Sequence, residues 1–395
     1  MKILFVTPSL CYPNVPYAGE LTIFKLMERL ALRGHELYLI TGLRSGEREH
    51  LKEVNRICTV LDAIDVPWTR GAIIKAVIEW ILRGFRNGLT FRKQAALSVD
   101  SFTKKIDFDV IEVIHTPLGD YIEKPDKIPM IITAIDVLIK PALREYRSAT
   151  GIARFIKHMR YRRLIGKEIA LYQKFDLIYT LSDFDRQFLL SYKNDLNVAR
   201  RSPYVKIADF NATEALRESK TILFVGAMDR PVNIQAAMYF HTQVLPLIRK
   251  EIPDVHFYIV GNKPPDEIKA LGNNDHNVFV TGFVEDVKPF FLRATVFVAP
   301  LFIGGGVITK ILDAMAAGLP VITSSIGNEG IDALPGKDLL IANTPEDFAK
   351  MALLLMNDHN LWSAYSENGK AFVRKHFDWD KTVEQTENDY KGLTT

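Results

Sequence analysis

Short apolar runs alternate with helical patterns along the whole chain, and this beat leaves few folds open. Ile3–Val6 precedes a helical pattern from Glu20 to Leu32, and the turn Arg33-Gly34-His35 leads into Leu37–Ile40. Further runs are Val110–Val113, Met130–Ala134 and Leu177–Thr180. After residue 220 the series restarts with Ile222–Val225, Val255–Val260, Val278–Val280, Val296–Ala299 and Pro320–Thr323. Buried strands alternating with helices of about 10–15 residues predict an α/β protein of parallel sheets covered by helices on both faces. Two series predict two Rossmann-like, doubly wound domains, residues 1–205 and 206–375, with Arg200–Lys220 as the linker. Residues 376–395, carrying Phe377, Trp379 and Tyr390, read as a closing helix that returns toward the first domain. Ligands of such sheets bind outside the carboxyl ends of the strands, so a cleft between the domains is the expected active site.

Composition closes off other classes. A chain of 395 residues has room for two or three domains at about 150 residues each. With 48% hydrophobic and 25% charged residues it is a globular sequence, not a disordered one. Cys11 and Cys58 do not sit at metal-ligand spacing and fit a reducing cytosol. The 50 basic and 47 acidic residues leave a net charge of +3, too balanced to point to nucleic acid. No apolar run approaches the roughly 18 residues of a membrane span. The apolar core at Ile3–Val6 is shorter than the about 7–15 residues of a signal peptide, so a cytoplasmic protein whose N-terminus is its first strand is expected.

The most informative segment runs from Val296 to Ile331. The strand Val296–Ala299 enters Pro300, then Gly304, Gly305 and Gly306, then a helix from about Val307 to Ala317, with Gly318 as its stop. Glycines let backbone approach a ligand closely, and a helix start offers free N–H groups and a positive dipole end, so the segment reads as an anion site rather than a plain loop. Lys310 and Asp313 lie three residues apart and share a helix face. A lysine there reaches a phosphate; a carboxylate one turn on accepts from sugar hydroxyls.

These residues resemble the donor-site signature of the retaining family-four glycosyltransferases, which have the GT-B fold. The family's E-x7-E motif places its second Glu in an "LEAMAxG-PV" run, here Leu312-Asp313-Ala314-Met315-Ala316-Ala317-Gly318-Leu319-Pro320-Val321. Gly304, Gly306 and Lys310 match a "GxGxxxK" version, and Gly327-Asn328-Glu329-Gly330 matches its "GxEG". Phe224-Val225-Gly226-Ala227-Met228 with Pro231-Val232-Asn233 resembles the "FVGSM…PN" opening of the donor domain, and Tyr258-Ile259-Val260-Gly261 its "IVG" strand end. Thr281-Gly282-Phe283-Val284-Glu285-Asp286 resembles the "TGxVxD" loop that lines the base. In the first half the likeness is looser: Gly34-His35-Glu36-Leu37 resembles "GHEV", and Leu181-Ser182-Asp183 resembles "VSE".

The resemblance implies transfer of a hexose, with retention, from a nucleotide-diphospho-sugar to a saccharide, lipid-linked or other acceptor, in cell-surface glycan or polysaccharide synthesis. Lys310, Asp313 and Asp136 are then the catalytic candidates. The donor would be bound by Gly19, Gly226, Arg230, Asn233, Gly261, Gly282, Phe283, Val284, Gly304, Gly305, Gly306, Val307, Glu329 and Gly330. No cofactor or metal is expected, because cations at the leaving diphosphate would carry the charge. Three departures stand out. Gly305 occupies the place of the first Glu, Asp313 that of the second, and Ala134-Ile135-Asp136 carries no His where the family often has one. They keep open a second reading, a GT-B binding or partner protein with weakened catalysis, and a weaker third, a nucleotide-sugar hydrolase or epimerase. His115 is another polar group near the expected cleft, although a solvated loop histidine is its plainer reading.

Residues 144–167 hold eight Lys or Arg and a single acid, Glu145, interleaved with Ile152, Phe155, Ile156, Met159 and Leu164. A basic amphipathic stretch of this kind can lie on anionic lipid at the inner face of a membrane. A second stretch, residues 70–93, reads instead as apolar faces packed on their own sheet.

Overall fold

The computed structural model describes the chain outside positions 16, 67–89, 206, 208–209, 211–216, 305 and 395. Two compact units result: residues 1–204 with 379–395, and residues 205–378. The stretch 70–93 lies mostly outside the described residues.

The first unit is built on a parallel sheet of β1 (Lys2–Thr7), β2 (Glu36–Leu43), β3 (Thr59–Asp65), β4 (Val110–Ile114), β5 (Met130–Ala134), β6 (Leu177–Thr180) and β7 (Val198–Arg200). Its order is β3-β2-β1-β4-β5-β6-β7. The second unit repeats the plan with β8 (Thr221–Val225), β9 (His256–Val260), β10 (Val278–Gly282), β11 (Val296–Ala299), β12 (Val321–Thr323) and β13 (Leu340–Ile341), in the order β10-β9-β8-β11-β12-β13. All registered pairs are parallel. Both sheets reverse direction beside their first strand, at β1/β4 and at β8/β11, and those are the switch points where such sheets take ligands.

The apolar runs become central strands because helices cover both faces; β1, β4, β5, β6 and β11 bury nearly every residue. Local chemistry ends the helices as expected. Gly318 sits at φ 66°, and its N–H and that of Leu319 donate to the Met315 and Ala314 carbonyls at 3.0 and 2.9 Å.

The boundary between the units, 204/205, falls within Arg200–Lys220, and described residues on either side of it are packed into one unit or the other. Arg201 is buried in the first unit, Phe210 is buried in the core of the second, and Arg217 donates to the Ala317 carbonyl at 2.7 Å. The closing helix spans Trp379–Thr394 and packs on the helix Ala18–Leu32, where Glu387 accepts from Arg33 at 2.8 Å and pairs with His35 at 2.7 Å. Phe377 is outside that helix and is buried in the core of the second unit. The basic stretch is also broken: Arg144 and Arg147 lie on the helix Ile139–Ser148, and the remainder lies on the helix Gly151–Tyr172.

Glu112, in the middle of β4, is fully buried. It pairs with both Nη atoms of Arg201, accepts from Thr133 Oγ1 at 2.6 Å, and accepts from the Tyr390 hydroxyl of the closing helix. Removing one partner of a buried pair strands the other charge, at a cost of about 3–5 kcal/mol. Arg201→Ala is therefore expected to lower stability by about that much. Tyr390→Phe, which removes one hydrogen bond to a charge, should cost about 1.5–3 kcal/mol. Equilibrium urea unfolding of the two variants against the parent chain checks both the size and the order.

Candidate functional site

Because β8 to β12 run parallel, their carboxyl ends share one edge, and the conspicuous motifs all follow those ends. Gly226 follows β8, Gly261 follows β9, and Gly282 closes β10 at φ 70°. The glycine loop follows β11, and Ser324 to Gly330 follow β12.

The glycines here are places where backbone meets backbone. A Cβ on Gly261 would collide with the Gly226 carbonyl oxygen, and the Gly226 N–H donates to the Val260 carbonyl at 2.9 Å. A Cβ on Gly330 would collide with the Gly306 carbonyl, which presses the Asn328-Glu329-Gly330 segment against the glycine loop. Gly304 and Gly306 take φ of 136° and 80°, backbone that side-chain-bearing residues rarely adopt. Gly305 lies outside the described residues. The following helix spans Thr309–Ala316, starting later than the expected Val307, and no side chain caps it. Val307 is half-buried against the core and belongs to the loop.

Lys310 therefore stands in the first turn of that helix. Its Nζ donates to Asn233 Oδ1 at 2.7 Å and stands 4.6 Å from the centroid of the Phe224 ring. A Cβ on Gly226 would lie 2.8 Å from this Nζ, so the glycine makes the room that the ammonium fills. Asn233 is buried, with its Nδ2 donating to the Ala227 carbonyl at 2.8 Å; it is a positioning residue that aims Lys310. Burial first, and the charge of Arg230 second, push the Lys310 ammonium down to about 7. Arg230 is exposed at the start of the helix Pro231–Tyr239. Asp313 is half-buried on the Lys310 face, and Glu329 is half-buried beside Gly330. Phe283 is 73% exposed directly after β10, whereas Val284 packs on the core.

The first unit gathers its own polar cluster around the β1/β4 switch point. Glu20 accepts from Ser9 Oγ at 3.0 Å and from Arg44 Nη2 at 2.9 Å. Burial raises the Glu20 carboxyl, but the Arg44 hydrogen bond and charge prevail and hold it below the usual range. Gly19 is the second residue of its helix, close enough to Ile135 that a Cβ would lie 3.2 Å from that side chain. His115 is not a solvated loop histidine. It is half-buried at the end of β4, in left-handed backbone at φ 75°, with its N–H donating to the Thr133 carbonyl at 2.9 Å. Burial pushes its imidazole below the ordinary value, against Asp136 and Glu20, which favour the charged form. Such backbone is strained for a residue that carries a Cβ, so the surrounding contacts must hold it there. Ser9, Glu20, Arg44 and His115 come from three separate segments, and nothing in their local sequence joins them.

Residues 219–358 match the family described as "Glycosyl transferases group 1". The second unit carries a group 1 glycosyltransferase domain. Among curated relatives, the chain is 23% identical over 412 residues to an uncharacterized 44.6 kDa protein in the cps region of Klebsiella pneumoniae, covering 96% of this chain and 97% of that one. Among solved structures it is similar to sucrose-phosphate synthase from Thermosynechococcus elongatus, with a TM-score of 0.73 at 16% identity, covering 100% and 99% of the two chains. It is also similar to Anabaena HepE in complex with UDP and glucose, with a TM-score of 0.67 at 13% identity and 99% coverage of each. Two Rossmann-like domains of this order are the GT-B fold of glycosyltransferase structures. The match to the group 1 domain includes Gly226, Lys310, Asp313 and Gly330.

A lysine whose ammonium titrates near 7 gives the group 1 domain a pH signature. An anion bound there favours the charged form, so above pH 7 binding takes up a proton and weakens as pH rises. Between pH 7.5 and 9 the affinity for a nucleoside diphosphate is expected to fall by up to about tenfold per pH unit. Lys310→Met should flatten that slope, as read by titration calorimetry in two buffers of different ionisation enthalpy.

Proposed function

We propose that this protein is a retaining glycosyltransferase that moves a hexose from a nucleotide-diphospho-sugar to a saccharide or lipid-linked acceptor. The carrying observation is the ammonium of Lys310, seated at the β8/β11 switch point in space left by Gly226 and aimed by Asn233. Departure of a nucleoside diphosphate concentrates negative charge on phosphate oxygens. Lys310, Arg230 and the N–H groups of Gly304, Gly306 and the helix start supply the opposite charge, preorganised and partly shielded from water. In this reading the leaving group needs no metal. Asp313 accepts from the ribose hydroxyls, Glu329 and Gly330 border the phosphates, and the nucleobase lies on the loop Gly282-Phe283-Val284, where Phe283 offers an exposed ring.

The first unit receives the acceptor, with Asp136 and the neighbouring His115 as the groups that orient it. Bound UDP and glucose in the HepE structure support the donor class, and the Klebsiella relative in a cps region supports a place in cell-surface polysaccharide synthesis. The same reading places the protein at the inner face of a membrane, where a lipid-linked acceptor is presented. Among the described residues no helix is long and apolar enough to cross one.

Lys310→Ala leaves a phosphate without its charge-assisted hydrogen bond, worth roughly 1.5–3 kcal/mol, so nucleoside diphosphate affinity should drop by about one to two decades. Asp313→Asn keeps the shape and should lose less. Asp313→Glu separates a working site from a decayed one: the longer carboxylate crowds the ribose and lowers transfer in the first case, and is neutral or helpful in the second. Titration calorimetry gives the affinities, and proton NMR of the product anomer tests retention. Affinity indifferent to Lys310→Ala would remove the donor from this site.

A further inference from the structure

Among the described residues of the first unit, four of the seven exposed large apolar side chains lie on one helix. Gly151–Tyr172 is 22 residues long, and near its start Ile152, Phe155, Ile156 and Met159 are 82%, 68%, 61% and 55% exposed. Their spacing, i, i+3, i+4 and i+7, sets all four on one stripe. The opposite side of the helix is the one that packs. His158 and Tyr161 lie against the Tyr146 ring at centroid separations of 4.8 and 5.9 Å, and Arg154 stands over the same ring. Further along, Glu168, Ile169, Leu171 and Tyr172 are buried. The stripe therefore faces away from its own unit's core.

Charge surrounds it. Arg160, Arg162 and Arg163 are exposed beside the stripe, Lys157 and Lys167 are half-buried, and no Asp or Glu occurs between residues 146 and 167. Glu145, on the preceding helix, meets Arg160 at 3.3 Å. Three of the four stripe residues are aliphatic, which suits acyl chains better than the stacked bases of a single-stranded nucleic acid. An aliphatic stripe edged by guanidinium groups is complementary to a surface that is apolar inside and anionic outside.

We propose that the first half of the helix Gly151–Tyr172 docks this protein on an anionic lipid bilayer. Ile152, Phe155, Ile156 and Met159 enter the boundary between headgroups and acyl chains, while Arg160, Arg162 and Arg163 meet the lipid phosphates. The proposal rests on the transferase reading only for its purpose, which is to hold the first unit where a lipid-linked acceptor is found.

The test is co-sedimentation of the full chain with vesicles of phosphatidylglycerol and phosphatidylcholine, and with vesicles of phosphatidylcholine alone. Binding is expected to the anionic vesicles only. It should weaken steeply with salt as the screening length shrinks from about 30 Å at 0.01 M to about 8 Å at 0.15 M. Each basic residue near an anionic surface strengthens binding about fivefold, so Arg162→Glu with Arg163→Glu should lose well over tenfold. Phe155→Ser with Ile156→Ser should also lose more than about tenfold. These positions are exposed, so circular dichroism and nucleoside diphosphate affinity should match the parent chain. Absence of binding to anionic vesicles at low salt overturns the proposal, as does equal binding to the uncharged vesicles or by both variants. A parent dimer that Phe155→Ser with Ile156→Ser turns into a monomer would assign the stripe to a second copy and overturn it as well. Vesicle binding without nucleotide affinity would sink the transferase reading and leave the docking surface standing; the reverse pattern would sink the docking surface alone.

Discussion

A single carboxylate without access to solvent holds both ends of the first unit. The chain passes to the second unit after residue 204 and returns at residue 379. Arg201 lies just before the exit and Tyr390 on the returning helix, and both are bonded to Glu112. Burying an ion pair is costly unless every polar atom finds a partner. Here Thr133 supplies a further donor, and the Arg201 guanidinium lies 4.1 Å from the centroid of the Tyr179 ring. Tyr179 in turn donates to Asp389 at 2.7 Å, a second tie to the same helix. Burial pushes the Tyr179 and Tyr390 phenols upward, which keeps them neutral donors. A closing helix bound only by apolar contacts could slide; one bound through a charge has a register.

The second unit is organised differently, by side chains that are missing. Gly226 with Gly261 and Gly306 with Gly330 let four loops from four strand ends touch through their backbones. Ser324 supports the same edge by accepting from the Gly327 N–H at 3.0 Å while donating to the Leu301 carbonyl. Loops joined in this way present N–H groups and one ammonium with little freedom to relax. That preorganisation is what a site for developing charge requires.

Much of this was legible in the sequence because parallel strands buried on both faces are near-continuous apolar runs. Met130–Ala134, Leu177–Thr180 and Val296–Ala299 are strands with the bounds the runs suggest. Three of the four edge strands, β3, β7 and β13, were not legible, because β7 and β13 are only three and two residues long and Thr59–Asp65 mixes exposed with half-buried residues, whereas the edge strand β10 kept the apolar run Val278–Val280. The second unit's motifs could be read because each is local to one strand end. The first unit's cluster could not be, because Ser9, Glu20, Arg44 and His115 meet only through the sheet order, and the φ of His115 leaves no mark in the residue type. Glu112 shows the opposite case: an acid inside the run Val110–Ile114 reads as a blemish until Arg201, far along the chain, is seen to face it.

The two cations at the β8/β11 switch point also explain one another. Arg230 stands at the start of the helix that follows β8, and Lys310 in the helix that follows β11, so the switch point has a positive group on each flank. Part of the downward shift of Lys310 is the Arg230 charge. An anion between the flanks relieves that repulsion and interacts with both groups, whereas a neutral ligand leaves the strain in place. A preference for an anionic over a neutral ligand then follows from the electrostatics of this sheet edge. Asn233 matters because it keeps the ammonium on that axis, 2.7 Å from its own amide oxygen, instead of letting the long side chain swing out to water.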